Sequence, residues 1–175
     1  MAAGLPSLDS WLRDAPGASL LEAETALLAE VLDDVFGWEL LQVGLWGPPR
    51  GLIHASRTRQ QTLIAERGVE GVNLVTRLPQ LPIASGTVDA VLLPHTLEFL
   101  PDPKAMIRET DRVLAGEGQL IVVGLCPWSL WGMRSRLSRG RFPPGVRSLL
   151  AERRICDWLA LLGYEIIASR HYLHG

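Results

Sequence analysis

Four groups of residues in this 175-residue sequence have the types and spacing that chemistry requires. Gly44-Leu45-Trp46-Gly47 follows a short apolar run, and glycines in such a turn let the backbone bend sharply or approach a ligand closely. Glu66 stands 22 positions after Gly44, at the end of a second apolar run. In doubly wound nucleotide-binding folds an acid about 20 residues beyond the glycine turn accepts hydrogen bonds from a ribose diol. His95 follows a third apolar run, Val88–Leu93, where an imidazole could serve as a general base near neutral pH. Trp128 and Trp131 precede Arg134, Arg136, Arg139, Arg141 and Arg147, a combination that suits an anionic or aromatic ligand. Each group also has a purely structural counterpart. These are a turn without a ligand, a surface carboxylate, a loop histidine bonded to backbone, and a solvated arginine-rich loop over core tryptophans.

Regular elements must position these residues. Ser7–Leu12 suits a short helical turn. Ser19 with Glu22 forms a capping-box pattern, and Leu20, Leu27, Leu28, Val31, Leu32 and Val35 recur at helical spacing, so Leu20–Phe36 is expected to be an amphipathic helix. Leu40–Leu45 reads as a strand. Pro49 suits a first helical position, which predicts a helix up to about Arg59. Thr62–Ala65 and Val72–Thr76 read as further strands, and Val88–Leu93 has the nearly all-apolar character of a doubly covered parallel strand. Asp102-Pro103 opens a helix that Gly116 is expected to close. Gln119–Gly124 is a fifth strand, Ile155, Leu159 and Leu162 mark a helix stopped by Gly163, and Tyr164–Ala168 is a last strand.

Strands alternating with helices predict an α/β fold, a doubly wound and mostly parallel sheet. Residues 1–37 form an N-terminal helical segment and 38–175 one compact α/β domain. The five residues from Arg67 to Gly71 are too few for a parallel crossover with a helix. One crossover helix is therefore expected to be missing, with Val72–Thr76 as a hairpin partner or an irregular edge.

Composition narrows the partners. The chain is 47% hydrophobic and 21% charged, ordinary for a domain with a sizeable core. Its net charge of -2 predicts no general attraction to nucleic acid or an anionic membrane. Cys126 and Cys156 lack metal-ligand spacing and read as buried free thiols; no metal site is expected. No signal peptide or transmembrane span is recognisable, so the expected location is cytoplasmic.

Leu81-Pro82-Ile83 followed by Val88-Asp89-Ala90-Val91, then Leu97-Glu98-Phe99 with Asp102-Pro103, then Arg112-Val113-Leu114 with Gly116-Glu117-Gly118-Gln119-Leu120, is an ordered series. It resembles the class I S-adenosylmethionine-dependent methyltransferases of the small-molecule type, where the series runs LPF-x-x-x-x-FD-x-V, LEH-x-x-DP and RVL-x-x-GG-x-L. The resemblance is clearest across Leu81–Gly118. Departures are Phe99 at a histidine position and Glu117 at a glycine position. In the glycine turn Gln42 replaces the family acid, Trp46 a glycine, and Pro48 removes an N–H donor.

The resemblance implies a methyltransferase with S-adenosylmethionine as cofactor and S-adenosylhomocysteine as product. The implied cofactor contacts are Gly44, Trp46, Gly47, Glu66, Arg77, Leu78, His95 and Leu97, with His95 also the catalytic candidate. Arg77 falls where the family often has an aspartate near the adenine. The connection carrying Trp128, Trp131, Arg134 and Arg136 then lies on the side of the methyl acceptor, a small or anionic molecule. The resembled fold ends in a hairpin whose final strand has no counterpart here. That leaves an edge for a second copy of the chain, or a shortened end. The competing expectation is a non-catalytic methyltransferase-like module acting through a partner; RNA binding by Arg134–Arg154 is a weaker third.

Overall fold

The computed structural model describes residues 7–126 and 143–172. The elements in chain order are α1 (Leu8–Trp11), α2 (Gly17–Asp33), β1 (Glu39–Val43), β2 (Gln60–Ala65), β3 (Leu74–Val75), β4 (Val88–Pro94), α3 (Thr96–Phe99), α4 (Pro103–Val113), β5 (Leu114–Val123) and α5 (Glu152–Leu161). The strands make one sheet in the order β3-β2-β1-β4-β5, and every pairing is parallel. The expected parallel α/β sheet is therefore present.

Alternation along the strands divides the core into two layers. Leu41, Val43, Ile64, Val91 and Leu93 face Met106, Ile107 and Val113 of α4 and Leu159 of α5. Leu40, Ala90 and Leu92 face the other way, against Leu20, Leu28 and Leu32 of α2 and against Trp11, Trp46, Leu52 and Ile53. Helix α2 is thus one wall of the core.

Several motif residues hold this scaffold together. Asp89 accepts hydrogen bonds from the amides of Trp38 and Glu39 at 2.7 and 2.9 Å, which fixes the start of β1 beside β4. Glu109 accepts from the Leu81 amide at 3.0 Å and pairs with Arg112 at 2.7 Å. Arg112 in turn donates to the carbonyls of Leu81 and Ile83. Asp102 caps α4 through the Ala105 amide at 3.0 Å. Much of the Leu81–Gly118 series is therefore structural glue.

The structure corrects several expected elements. Helix α2 starts at Gly17, before the Ser19 capping box, with Pro16 at the N-cap and no side-chain cap; Gly17 packs against Trp11, where an added Cβ would lie 2.3 Å from the carbonyl oxygen. No helix follows Pro49; residues 48–55 form turns. Arg50 has φ 63°, outside the helical region, and its guanidinium reaches the carbonyls of Gln61 and Gly71 and the Asn73 side chain. The β2–β3 connection lacks a helix as expected, and of the two alternatives for Val72–Thr76 the structure has the edge: β3 is a two-residue parallel edge strand and not a hairpin arm. Helix α4 ends at Val113 and Gly116 lies inside β5, at a register shift against β4. Tyr164–Ala168 forms no strand; Ile166 and Ile167 stay exposed, so no apolar face drives its pairing. The two cysteines are not bridged to each other and are only half-buried. No described helix is long and apolar enough to cross a membrane.

Candidate active site

Beyond β1 the chain runs outward through β2 to β3, then returns to place β4 on the other side of β1. The carboxyl ends of β1 and β4 thus lie at the reversal of strand order, the place where parallel α/β sheets bind ligands. Gly44 ends β1 with φ 101°. A Cβ there would lie 2.6 Å from the Thr96 hydroxyl, which itself donates to the Val43 carbonyl at 2.5 Å. The glycine therefore allows α3 to close directly on the end of β1. Gly47, at φ 75°, has the side chain of Leu21 against it.

His95 ends β4 in the left-handed conformation, φ 55° and ψ 9°. Its amide donates to the Val123 carbonyl at 2.8 Å, tying the turn to β5. The imidazole is fully buried, with Nε2 2.8 Å from Glu24 Oε1 and Nδ1 2.8 Å from Glu98 Oε2. Burial opposes the charged form, but Glu24, with Glu98 behind it, outweighs burial and pushes the pKa up to about 10. At neutral pH both ring nitrogens therefore donate. No lone pair remains for general-base work.

The same network gathers other elements. The Trp46 indole N–H donates to Glu24 Oε2 at 2.5 Å and the Tyr172 hydroxyl to Glu24 Oε1 at 2.8 Å. The Trp46 ring lies against the imidazole with centroids 3.9 Å apart, a favourable place for an aromatic face beside a cation. Glu98 Oε1 accepts from the Leu125 amide at 2.6 Å. Burial, followed by the charge of Glu24, raises the Tyr172 phenol above its ordinary value.

Glu66 closes β2 as expected and is exposed. Its Oε1 accepts the Leu78 amide at 3.1 Å. A carboxylate accepts about four hydrogen bonds, so this contact leaves capacity for a diol. Arg77 is exposed beside it. Arg67, an alternative partner for Glu66, instead pairs with Asp9 at 2.7 Å.

Of the sequence candidates, Gly44, His95 and Trp46 thus come together at the carboxyl ends of β1 and β4, and Glu66, Arg77 and Leu78 at the end of β2. Leu97 is buried in the core layer facing α4. Trp46 is 1% exposed and directed under α2, its indole occupied by Glu24 and His95. Trp128, Trp131, Arg134, Arg136, Arg139 and Arg141 lie outside the described residues; Arg147 is exposed. His54, without a role in the sequence reading, is exposed in a turn.

Sequence reasoning missed Glu24, Glu98 and Tyr172. Two signals were present. Glu24 interrupts the stripe Leu20, Leu28, Leu32 at four-residue spacing, and a charge inside an apolar stripe calls for a buried partner. Glu98 follows His95 by three positions, within reach in a single helical turn.

One further group bears on a ligand. Gln42, at the position of the family acid, is 1% exposed, and its Nε2 donates to the Gly44 carbonyl at 3.0 Å. Its Oε1 has no hydrogen-bond partner among the described residues. A buried acceptor without a donor suits a water or a ligand amine.

A methyltransferase-domain family model matches residues 51–122. The uncharacterized protein YafS of Escherichia coli strain K12 is 32% identical over 142 residues, which cover 79% of this chain and 58% of that protein. An uncharacterized protein of Mycobacterium tuberculosis strain H37Rv is 32% identical over 177 residues, covering 95% of this chain and 60% of that protein. The chain thus spans about three fifths of the length of these relatives. Among solved structures, a SAM-dependent methyltransferase of Thermotoga maritima superposes with TM-score 0.66 at 19% identity, covering 85% of this chain and 74% of that one. The motif series, the all-parallel sheet with its reversal at β1, and these matches agree on the architecture: residues 51–122 match the methyltransferase-domain family, and the chain has the Rossmann-like fold of that structural neighbour.

Proposed function

We propose that this chain is an S-adenosylmethionine-dependent methyltransferase, with the cofactor at the β1–β4 crevice. The observation that carries the reading is the placement of Gly44 and the buried, donor-less Gln42 oxygen at the end of β1, with an exposed Glu66 ending the neighbouring β2. Glu66 would take the ribose diol and the Gln42 oxygen an ammonium group. Leu78 and Arg77 would border the base. When bound, the cofactor supplies an electrophilic methyl group on a sulfonium.

The residues of the chain then act by binding and orientation, which can supply most of the barrier reduction for such a transfer. His95, with both nitrogens engaged, holds the turn between β4 and α3 in place. The acceptor proton leaves to water or to a group of the acceptor itself. An anionic or aromatic small acceptor, reached through the segment carrying Trp128, Trp131, Arg134 and Arg136, completes the proposal. A cytoplasmic location belongs to it as well, and two cysteines that form no disulfide with each other suit a reducing compartment.

Isothermal titration with S-adenosylhomocysteine tests the site. Binding that weakens about tenfold or more in Glu66→Ala supports it, by the loss of hydrogen bonds from a charged acceptor. No heat at millimolar ligand would sink the cofactor reading for this chain.

A second reading, a non-catalytic module that pairs with another copy, has one observation in its favour. Among the described residues β5 is bonded to β4 alone and presents its other edge. Unpaired edges invite strand addition. Light scattering tests it: a strictly monomeric chain argues against it.

A further inference from the structure

The buried group of Glu24, His95 and Glu98 has a charge that its proton count fixes. Each of the two nitrogen–oxygen contacts, both 2.8 Å, holds one proton, whichever atom carries it. Two carboxylates and one imidazole sharing two protons carry a single net negative charge. The remaining contacts leave this unchanged, because Trp46 N–H, Tyr172 O–H and the Leu125 amide donate and keep their protons. Among the described residues, no lysine or arginine is hydrogen-bonded or ion-paired to either carboxylate. Such a charge, shielded from solvent, acts over a longer range than a surface one.

Its place in the fold gives this charge a purpose. His95 ends β4, and the next residue, Thr96, meets Gly44 at the end of β1. The triad therefore adjoins the carboxyl ends of β1 and β4 at the sheet reversal, where the proposed ligand crevice lies. At the end of β1 itself the side chain is the neutral Gln42, so apart from the exposed Glu66 beyond β2 the negative charge of this region resides in the triad.

We propose that the triad is the fixed counter-charge of this crevice and makes it bind a sulfonium ligand more tightly than the corresponding neutral thioether. The inference rests on the methyltransferase reading above. Methyl transfer would form the new bond from a lone pair of the acceptor while the S–CH3 bonding pair stays on sulfur, so that a positively charged sulfonium becomes a neutral thioether. A negatively charged crevice thus holds S-adenosylmethionine and lets S-adenosylhomocysteine go, which limits inhibition by product.

The test is calorimetric titration of the full chain with three ligands: S-adenosylmethionine, S-adenosylhomocysteine, and the analogue sinefungin, which carries an amine in place of the sulfonium. The expected result is that both cationic ligands bind about tenfold more tightly than the thioether. Glu98→Gln and Glu24→Gln each leave the triad neutral when the amide oxygen accepts from a protonated imidazole, a state read from the His95 ring-nitrogen NMR shifts, and the preference is then expected to fall to about twofold or less. Tyr172→Phe keeps the charge and is expected to keep the preference. The comparison of ligands on the unmodified chain decides the matter even where a carboxylate variant fails to fold. Equal affinity for the three ligands, or a preference that survives Glu98→Gln with the imidazole protonated, overturns the inference alone. No binding of any ligand overturns the methyltransferase reading and the inference with it.

Discussion

Glu24 of α2 and His95 at the end of β4 meet at 2.8 Å across 71 positions of sequence, and both side chains are fully buried. This contact joins α2 to the sheet, buried beside the candidate site. Removing one partner leaves the other charge buried and uncompensated, which typically costs about 3–5 kcal/mol. Glu24→Ala is expected to lower the unfolding free energy by about that amount, read from urea denaturation. A loss below about 1 kcal/mol, the value of an exposed pair, would show that the contact does not hold α2 in solution.

The same contact sets an alkaline limit on stability. The His95 pKa is raised from 6.5 to about 10, so the stabilisation is fully present below 6.5 and is lost as pH rises through 10. The urea midpoint is expected to decline between pH 7 and 10 more steeply in the natural chain than in His95→Gln. Parallel declines would place the titrating group elsewhere.

Glu109 governs the acid side. Its hydrogen bond with Arg112 holds its carboxyl below the ordinary value, against the effect of burial. The sign is opposite to that of His95: this stabilisation is present above the ordinary glutamate range and disappears as pH falls through the lowered value. Glu109→Gln is expected to flatten the acid limb of the stability profile while leaving the alkaline limb intact. The pair is partly exposed, so the effect is small beside that of the buried triad.

Trp46 stands at a family glycine position, and restoring the glycine separates two roles. The indole fills the space between Trp11, His95 and Phe99 and bonds to Glu24. Trp46→Gly is expected to cost at least about 3–5 kcal/mol, the usual penalty for deleting a large core side chain. A stable variant with higher affinity for S-adenosylhomocysteine would instead mark Trp46 as a plug in the ligand crevice.

Gly44→Ala places a Cβ 2.6 Å from the Thr96 hydroxyl at φ 101°. The expected loss is about 1–3 kcal/mol from backbone strain alone. Thr96→Ala in the same chain is expected to recover part of it, since the clash is with that side chain. Melting temperatures of the single and double variants measure the coupling.

What the sequence by itself determined was local. The apolar run Val88–Leu93, the Asp102-Pro103 cap and the stop at Gly163 were legible because each depends on neighbours a few positions apart. The ordered series from Leu81 to Gly118 marked the family scaffold, and Glu66 was found at a strand end from spacing alone. The tertiary structure decided the rest. Pro49 promised a helix, but Arg50 is held in a left-handed bend by partners 11 to 23 positions away. His95 looked like a base because its type and place allowed it. Glu24, Glu98, Trp46 and Tyr172, drawn from four separate segments, converge on one buried network in which His95 is charged and both its nitrogens are occupied. Patterns of near neighbours fix helices and strands, whereas the protonation of a buried side chain depends on charges and donors that only the folded chain brings within hydrogen-bond distance.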